Sequence, residues 1–142
     1  MVQNPPKGYP RISPYVLYED VDGAVDFLTG AFGFTERYRM AGPGARSVHA
    51  EVRLGDSVVM VGAPGADYRN PKRLGGATAT VYVYVDDIDR HHDTSKAAGA
   101  HIVHELADQS YGDRTYAAED PEGHLWHFAQ HIRDVSPEDV QP

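Results

Sequence analysis

The sequence predicts an α+β protein built of two tandem βαβββ modules, whose strands form an open, curved, mixed sheet around a cleft. Three observations predict it: an internal repeat, a strand-then-capped-helix order in both copies, and a hairpin with alternating faces. YVLYEDVDGAVD, starting at Tyr15, aligns with YVYVDDIDRHHD, starting at Tyr82, 67 positions later. Tyr15 and Tyr82, Val16 and Val83, Asp20 and Asp87, Asp22 and Asp89, and Asp26 and Asp93 coincide. Self-similarity at this spacing marks a duplicated structural unit. The division that follows is an N-terminal arm (1–10), a first module (11–64), a linker (65–78), a second module (79–131) and a C-terminal tail (132–142).

The arm, with Pro5, Pro6 and Pro10, is expected to be extended and free to pack on a neighbouring subunit. ISPYVLY (12–18) and ATVYVYV (79–85) alternate β-branched and aromatic residues, the mark of a strand. An Asp pair follows each and can cap a helix, because a carboxylate accepts from the unsatisfied N–H groups of a first turn. The first helix, about Asp22 to Phe32, puts Val21, Val25, Leu28 and Phe32 on one stripe and stops at Gly33. The second, about Asp89 to Ala98, has a thinner stripe, with His92 and Ser95 at the equivalent positions. SVHAEVRL, Gly55-Asp56 and SVVMVG read as a hairpin with a two-residue turn. That turn sets Glu51 opposite Met60. One face carries Ala50, Val52, Leu54, Val59 and Val61; the other carries His49, Glu51, Arg53, Val58 and Met60. In the second module RTYAAED, a DPEG turn and HLWHFAQH close the fold. Alternation sends Trp126 and Phe128 to the helix side and His127 and His131 to the concave side. The short acidic tail either forms a single helical turn capped by Ser136 or is disordered.

Bulk properties narrow the function. The chain has 142 residues, 41% of them hydrophobic, with a net charge of −8 and no cysteine. Thiolate metal sites, disulfides and a cysteine nucleophile are excluded. An acidic surface with scattered cations is a poor match for nucleic acid or an anionic membrane. The longest apolar run, VVMV, is far too short to span a bilayer, and MVQNPPKGYP lacks the apolar centre of a signal peptide. A cytoplasmic protein is expected.

The concave side collects the candidate site residues. Tyr15, Tyr82 and Tyr84 offer aromatic faces for stacking or cation–π contact, and Leu17, Val58 and Met60 offer an apolar lining. His127 is either a hydrogen-bonded histidine on a partly wet face or the base of a site. Glu51 is the carboxylate expected to enter the cleft from a strand interior; its bland alternative is an ion pair with Arg53 or Arg114. Tyr111 and Arg114, on the loop before the penultimate strand, are aimed at the cleft mouth if Gly112-Asp113 turns. There the guanidinium could hold a carboxylate or phosphonate. His124 falls on the helix side and His131 ends the strand toward solvent, so the three histidines do not converge on one point. His91 and His92 read as helix surface and thin core.

The segments VLYEDVDGAVDFLTGAFGF, RLGDSVVMVG and YGDRTYAAEDPEGHLWHF resemble the vicinal oxygen chelate superfamily. That group includes glyoxalase I, extradiol dioxygenases, fosfomycin-resistance enzymes and bleomycin-resistance proteins. The last segment is also similar to a PhnB-like branch. The resemblance implies that metal-dependent members would place ligands at Ser13, Met60, Thr80 and His127. Of these only His127 is a competent ligand, since hydroxyls and a thioether are poor partners for hard or borderline divalent ions. The resemblance to the bleomycin-resistance branch implies a metal-free protein that binds a drug or natural product, with no cofactor, acting as a homodimer in antibiotic resistance. The alternative is a metal-dependent lyase, isomerase or transferase with a displaced ligand set, for which His49, Glu51 and His127 are the available donors. A third reading is metal-free acid–base catalysis by His127 with Glu51 or a tyrosine.

Overall fold

A computed structural model describes residues 2–141, so the outermost residue of the arm and of the tail lies outside the described part. The first module runs β1 (Tyr15–Leu17), α1 (Val21–Phe32), β2 (Thr35–Ala41), β3 (Ser47–Leu54) and β4 (Ser57–Gly62). After a linker holding a one-turn helix α2 (Pro71–Leu74), the second module runs β5 (Thr80–Tyr84), α3 (Ile88–Ala97), β6 (His101–Asp108), β7 (Asp113–Glu119) and β8 (Leu125–His131). Each module makes one four-stranded mixed sheet, in the orders β1-β4-β3-β2 and β5-β8-β7-β6.

The repeat governs register. Parallel pairing sets Tyr15 opposite Met60 in the first sheet and Tyr82 opposite His127 in the second, so the offset of the aligned sequences survives in space. The hairpin folds as expected, with Leu54 opposite Ser57, Glu51 opposite Met60, and Gly55 at a positive φ of 58°. Edge strand β2, TERYRMA, escapes the alternation rule because a register shift between Glu36 and Tyr38 puts Arg37 at an irregularity.

Local chemistry explains the helices. The Asp20 side chain accepts from Gly23 N at the start of α1, and Gly33, at φ 78°, ends it. Asp87 accepts from Arg90 N at the start of α3. The buried positions of α3 include His92 and Ser95, which make hydrogen bonds where apolar contacts were scarce: His92 Nε2 to Glu105 at 2.9 Å and Ser95 Oγ to Tyr116 Oη at 2.7 Å. His91 is not a surface residue. Its ring packs on Phe128 and Phe32, with Nε2 donating to the Phe32 carbonyl at 2.8 Å.

One core serves both modules, because α1 packs on α3 and Phe32 lies against Trp126 and Phe128. Trp126 and Phe128 are fully buried on the helix side, as their strand phase requires. The β7–β8 turn stitches the modules further: Asp120 accepts from Tyr18 Oη (2.6 Å) and Trp126 Nε1 (3.1 Å), and His124 Nε2 reaches the Leu17 carbonyl at 2.6 Å. Edge strands β1 and β5 are not laddered to each other, and a crevice lined from both strands lies between them. The helices occupy one side of the sheets; the opposite faces stay open. In the tail, Ser136 precedes one 3-10 turn (Pro137–Asp139), its hydroxyl bonding the Asp139 side chain rather than a backbone N–H.

Candidate functional site

The open face of the second sheet is organised by a residue that sequence reading passed over. The sequence predicts a turn at Gly112-Asp113, yet Asp113 begins β7 opposite His131 and is 2% exposed. One oxygen accepts from Tyr82 Oη (2.8 Å) and Tyr84 Oη (2.9 Å), and the other meets His131 Nδ1 at 2.8 Å. Burial pushes the Asp113 carboxyl up, but the bonds from His131 and both tyrosines outweigh it and hold the group below its ordinary value. His131 is clamped at its other nitrogen by Asp134, at 2.7 Å. Bonds to Asp134 and Asp113 raise its pKa, favouring imidazolium with both nitrogens donating. For the tyrosines, burial first and then the bonds to Tyr111 and Asp113 push the Tyr82 phenol far up, and the bond to Asp113 raises Tyr84. Both stay protonated. Their hydroxyls are tied down while their rings stand in solvent, 40% and 58% exposed. Tyr111 joins them, its Oη 3.4 Å from that of Tyr82.

His127 lies beside this cluster, its ring stacked on Tyr82 at 6.2 Å. The single Thr80 hydroxyl proton goes to the Leu125 carbonyl (3.0 Å), so at 2.7 Å His127 Nδ1 donates to Thr80 Oγ1. Nε2 then keeps its lone pair. Burial and the neighbouring His104 lower the His127 pKa, which favours this neutral form.

The open face of the first sheet centres on Glu51, also 2% exposed. Its ion-pair partner is neither Arg53 nor Arg114 but Arg37, with Nη1 at 3.6 Å, and His49 Nε2 lies 3.7 Å away. Its oxygens accept from Tyr9 Oη (2.8 Å) and Tyr38 Oη (3.1 Å). Tyr15 is 53% exposed and bonds His49 Nδ1 at 3.0 Å. Met60 and Leu17 are part-buried beside it, and Val58 is buried. Neither Tyr9 nor Tyr38 was legible as a site residue: one sits in a proline-rich arm, the other on an irregular edge strand.

Arg114 departs from expectation. Because Asp113 takes the open face, alternation turns Arg114 to the helix side opposite Gln130, where it pairs with Asp108 (2.7 Å) and Asp89 (3.2 Å). It does not reach the cleft mouth. Tyr15, Leu17, Glu51, Val58 and Met60 are therefore brought together on one sheet, and Tyr82, Tyr84 and His127 on the other, with Tyr111 beside them in the β6–β7 turn.

The donors at the family's metal positions do not fit a tight divalent site. Met60 stands on β4, Thr80 spends its hydroxyl on Leu125 and His127, and Ser13 precedes β1, leaving one imidazole lone pair. Nor do the displaced donors gather: His49 and Glu51 lie on β3 and His127 on β8. Among the described residues, no group of three or more His, Asp or Glu side chains is arranged to hold a metal.

Comparison with known proteins places this geometry in context. The model of the Glyoxalase/Bleomycin resistance protein/Dioxygenase superfamily matches residues 11–128. The Mycobacterium bovis protein Mb0911c is 34% identical over 137 residues, spanning 93% of this chain and 90% of that protein. The crystal structure of TioX from Micromonospora sp. ML1 is 37% identical with a TM-score of 0.68, covering 85% of this chain and 99% of TioX. The fosfomycin resistance protein FosX from Listeria monocytogenes, crystallised as a mutant with Mn(II) and 1S,2S-dihydroxypropylphosphonic acid, shares the fold. Its TM-score is 0.62 at 14% identity, covering 82% of this chain and 85% of FosX.

Proposed function

The chain belongs to the Glyoxalase/Bleomycin resistance protein/Dioxygenase superfamily, and from that premise we propose that it is a metal-free binding protein for a small organic ligand. The observation that carries this reading is the tyrosine surface of the second sheet. Asp113 fixes the hydroxyls of Tyr82 and Tyr84, so exposed rings are held in place before any ligand arrives. Rings already ordered lose little conformational freedom on binding, and their faces suit a flat or cationic aromatic molecule. The Nε2 lone pair of His127 supplies a directional acceptor beside them. The ligand class is a drug or natural product, and capture rather than turnover is the proposed role.

The metal-dependent alternative would need His49 and Glu51 to join His127. Glu51 is already engaged by two phenols and stands on the other sheet, which favours the binding reading. We also propose a homodimer. Edges β1 and β5 are unpaired, and Ile12, Met40 and Tyr15 leave apolar surface beside them and on the open face of the first sheet. Among the described residues, no helix is long and apolar enough to cross a membrane.

A calorimetric screen of planar and cationic aromatics against the tag-free protein tests the reading. A hit should bind equally with and without a chelator and lose about tenfold or more in affinity, roughly 1.4 kcal/mol, in Tyr82→Leu. A hit that binds only with a divalent ion would overturn it.

A further inference from the structure

The Glu51 site is filled by the protein's own chain. Tyr9 comes from the N-terminal arm, and its phenol lies against Glu51 as a ligand would: Oη donates to Glu51 Oε1 at 2.8 Å, and the Arg37 guanidinium lies over the ring, 4.5 Å from its centre. Tyr38 Oη holds the second carboxylate oxygen. The site is therefore a buried anion with an aromatic slot beside it.

Two further observations show that this occupant is loosely held and imperfectly matched. Among the described residues, the polar contacts that tie residues 2–10 to the body of the protein run through Tyr9 alone, its Oη on Glu51 and its ring under Arg37; the arm's other bond, Tyr9 N to the Pro6 carbonyl, is internal. The Arg37 Nη1 atom is buried without any hydrogen-bond partner, 3.6 Å from the oxygen that Tyr9 occupies. A buried guanidinium nitrogen left unbonded is costly, so the site has an unfilled demand for an acceptor. A crevice of about 550 Å³ adjoins the slot, lined by Tyr9, Arg37, Arg53 and the β3–β4 turn but not by Glu51 or Tyr38.

We propose that Glu51, Tyr38 and Arg37 form a subsite for a hydroxyl-bearing aromatic ring, and that Tyr9 is its resident, displaceable occupant. This deepens the binding reading above and rests on it only for the origin of the ligand. Displacing the arm exchanges one phenol–carboxylate bond for another, so the carboxylate stays satisfied throughout. A ligand with an acceptor oxygen near its hydroxyl would also engage Arg37 Nη1, which Tyr9 does not. The arm then acts as a competitor that sets a threshold affinity for occupancy of the first sheet.

The test uses the full chain and p-cresol, the side-chain analogue of tyrosine, with toluene as the ring that lacks the hydroxyl. Tyr9→Ala vacates the slot. p-Cresol should bind that variant at least tenfold more tightly than the native protein, as followed by protein NMR shifts at Tyr38 and His49, and toluene should bind neither. Glu51→Gln in the same background should weaken p-cresol, with its melting temperature measured alongside. If that double variant fails to fold, Tyr38→Phe, which leaves the carboxylate in place but removes its second phenol, takes its part and should also weaken p-cresol. Equal p-cresol affinity in the native and Tyr9→Ala proteins, no binding by either, or toluene binding as well as p-cresol would each overturn the proposal. None of these readouts involves Tyr82 or the second sheet, so failure here is distinct from failure of the wider binding reading.

Discussion

At the scale of the residue, the second sheet turns on what Asp113 and His131 do for each other. Glu51 was visible in the sequence because it interrupts an apolar strand at a cleft-facing phase. Asp113 was not, since its partners Tyr82, Tyr84 and His131 come from two other strands, and only the folded pairing joins them. Tyr9 was hidden for the same reason, more than forty positions from Glu51. The Asp113–His131 pair makes a pH prediction. The folded pKa of His131 is raised above its ordinary 6.5 by Asp134 and Asp113. Its contribution to stability is thus fully present below about pH 6.5, while Asp113 stays ionised, and is lost as pH rises through the folded value. The melting temperature of His131→Gln should therefore fall furthest below the native value under mildly acid conditions and converge with it at alkaline pH. The opposing His91, whose pKa burial lowers, is common to both proteins and cancels in the difference. A gap that widens with rising pH would contradict the assignment.

At the scale of the element, alternation was the most legible signal and hydrogen bonding the least. The phase of β8 followed from HLWHFAQH alone, and the hairpin register followed from Gly55-Asp56. Helix α3 was harder, because hydrophobic periodicity cannot see that His92 and Ser95 are buried through polar bonds. Arg114 faces away from the predicted cleft mouth because Asp113 opens a strand where the sequence predicts a turn, and a one-residue change of phase reverses every side chain after it. The phase of β8 carries a stability prediction. Phe128→Ala should cost about 3–5 kcal/mol in urea unfolding, since it empties a fully buried site against Phe32, Tyr116 and His91. His127→Ala, which removes a part-exposed ring and one bond to Thr80, should cost about 1 kcal/mol or less. The reverse order would mean that β8 presents the other face.

At the scale of the whole molecule, the duplicated sequence yields a duplicated sheet and a shared core. The two open faces are alike in plan and unlike in chemistry. Each holds a buried carboxylate bonded by phenols; the second sets the His127 imidazole beside it and the first His49, and the arm's Tyr9 bonds the carboxylate of the first. The module order was readable from the repeat; the chemistry of each face was not, because it depends on which residues the open sides gather. The central claim is that these faces bind an organic ligand without an ion, since the donor set at the family's metal positions is one imidazole among hydroxyls and a thioether. Elemental analysis of tag-free protein, purified without chelator, tests this most directly. Zinc, nickel, manganese and iron should each lie far below one ion per chain, with no change in His127→Ala. A near-stoichiometric ion in the native protein, lost in His127→Ala, would contradict it.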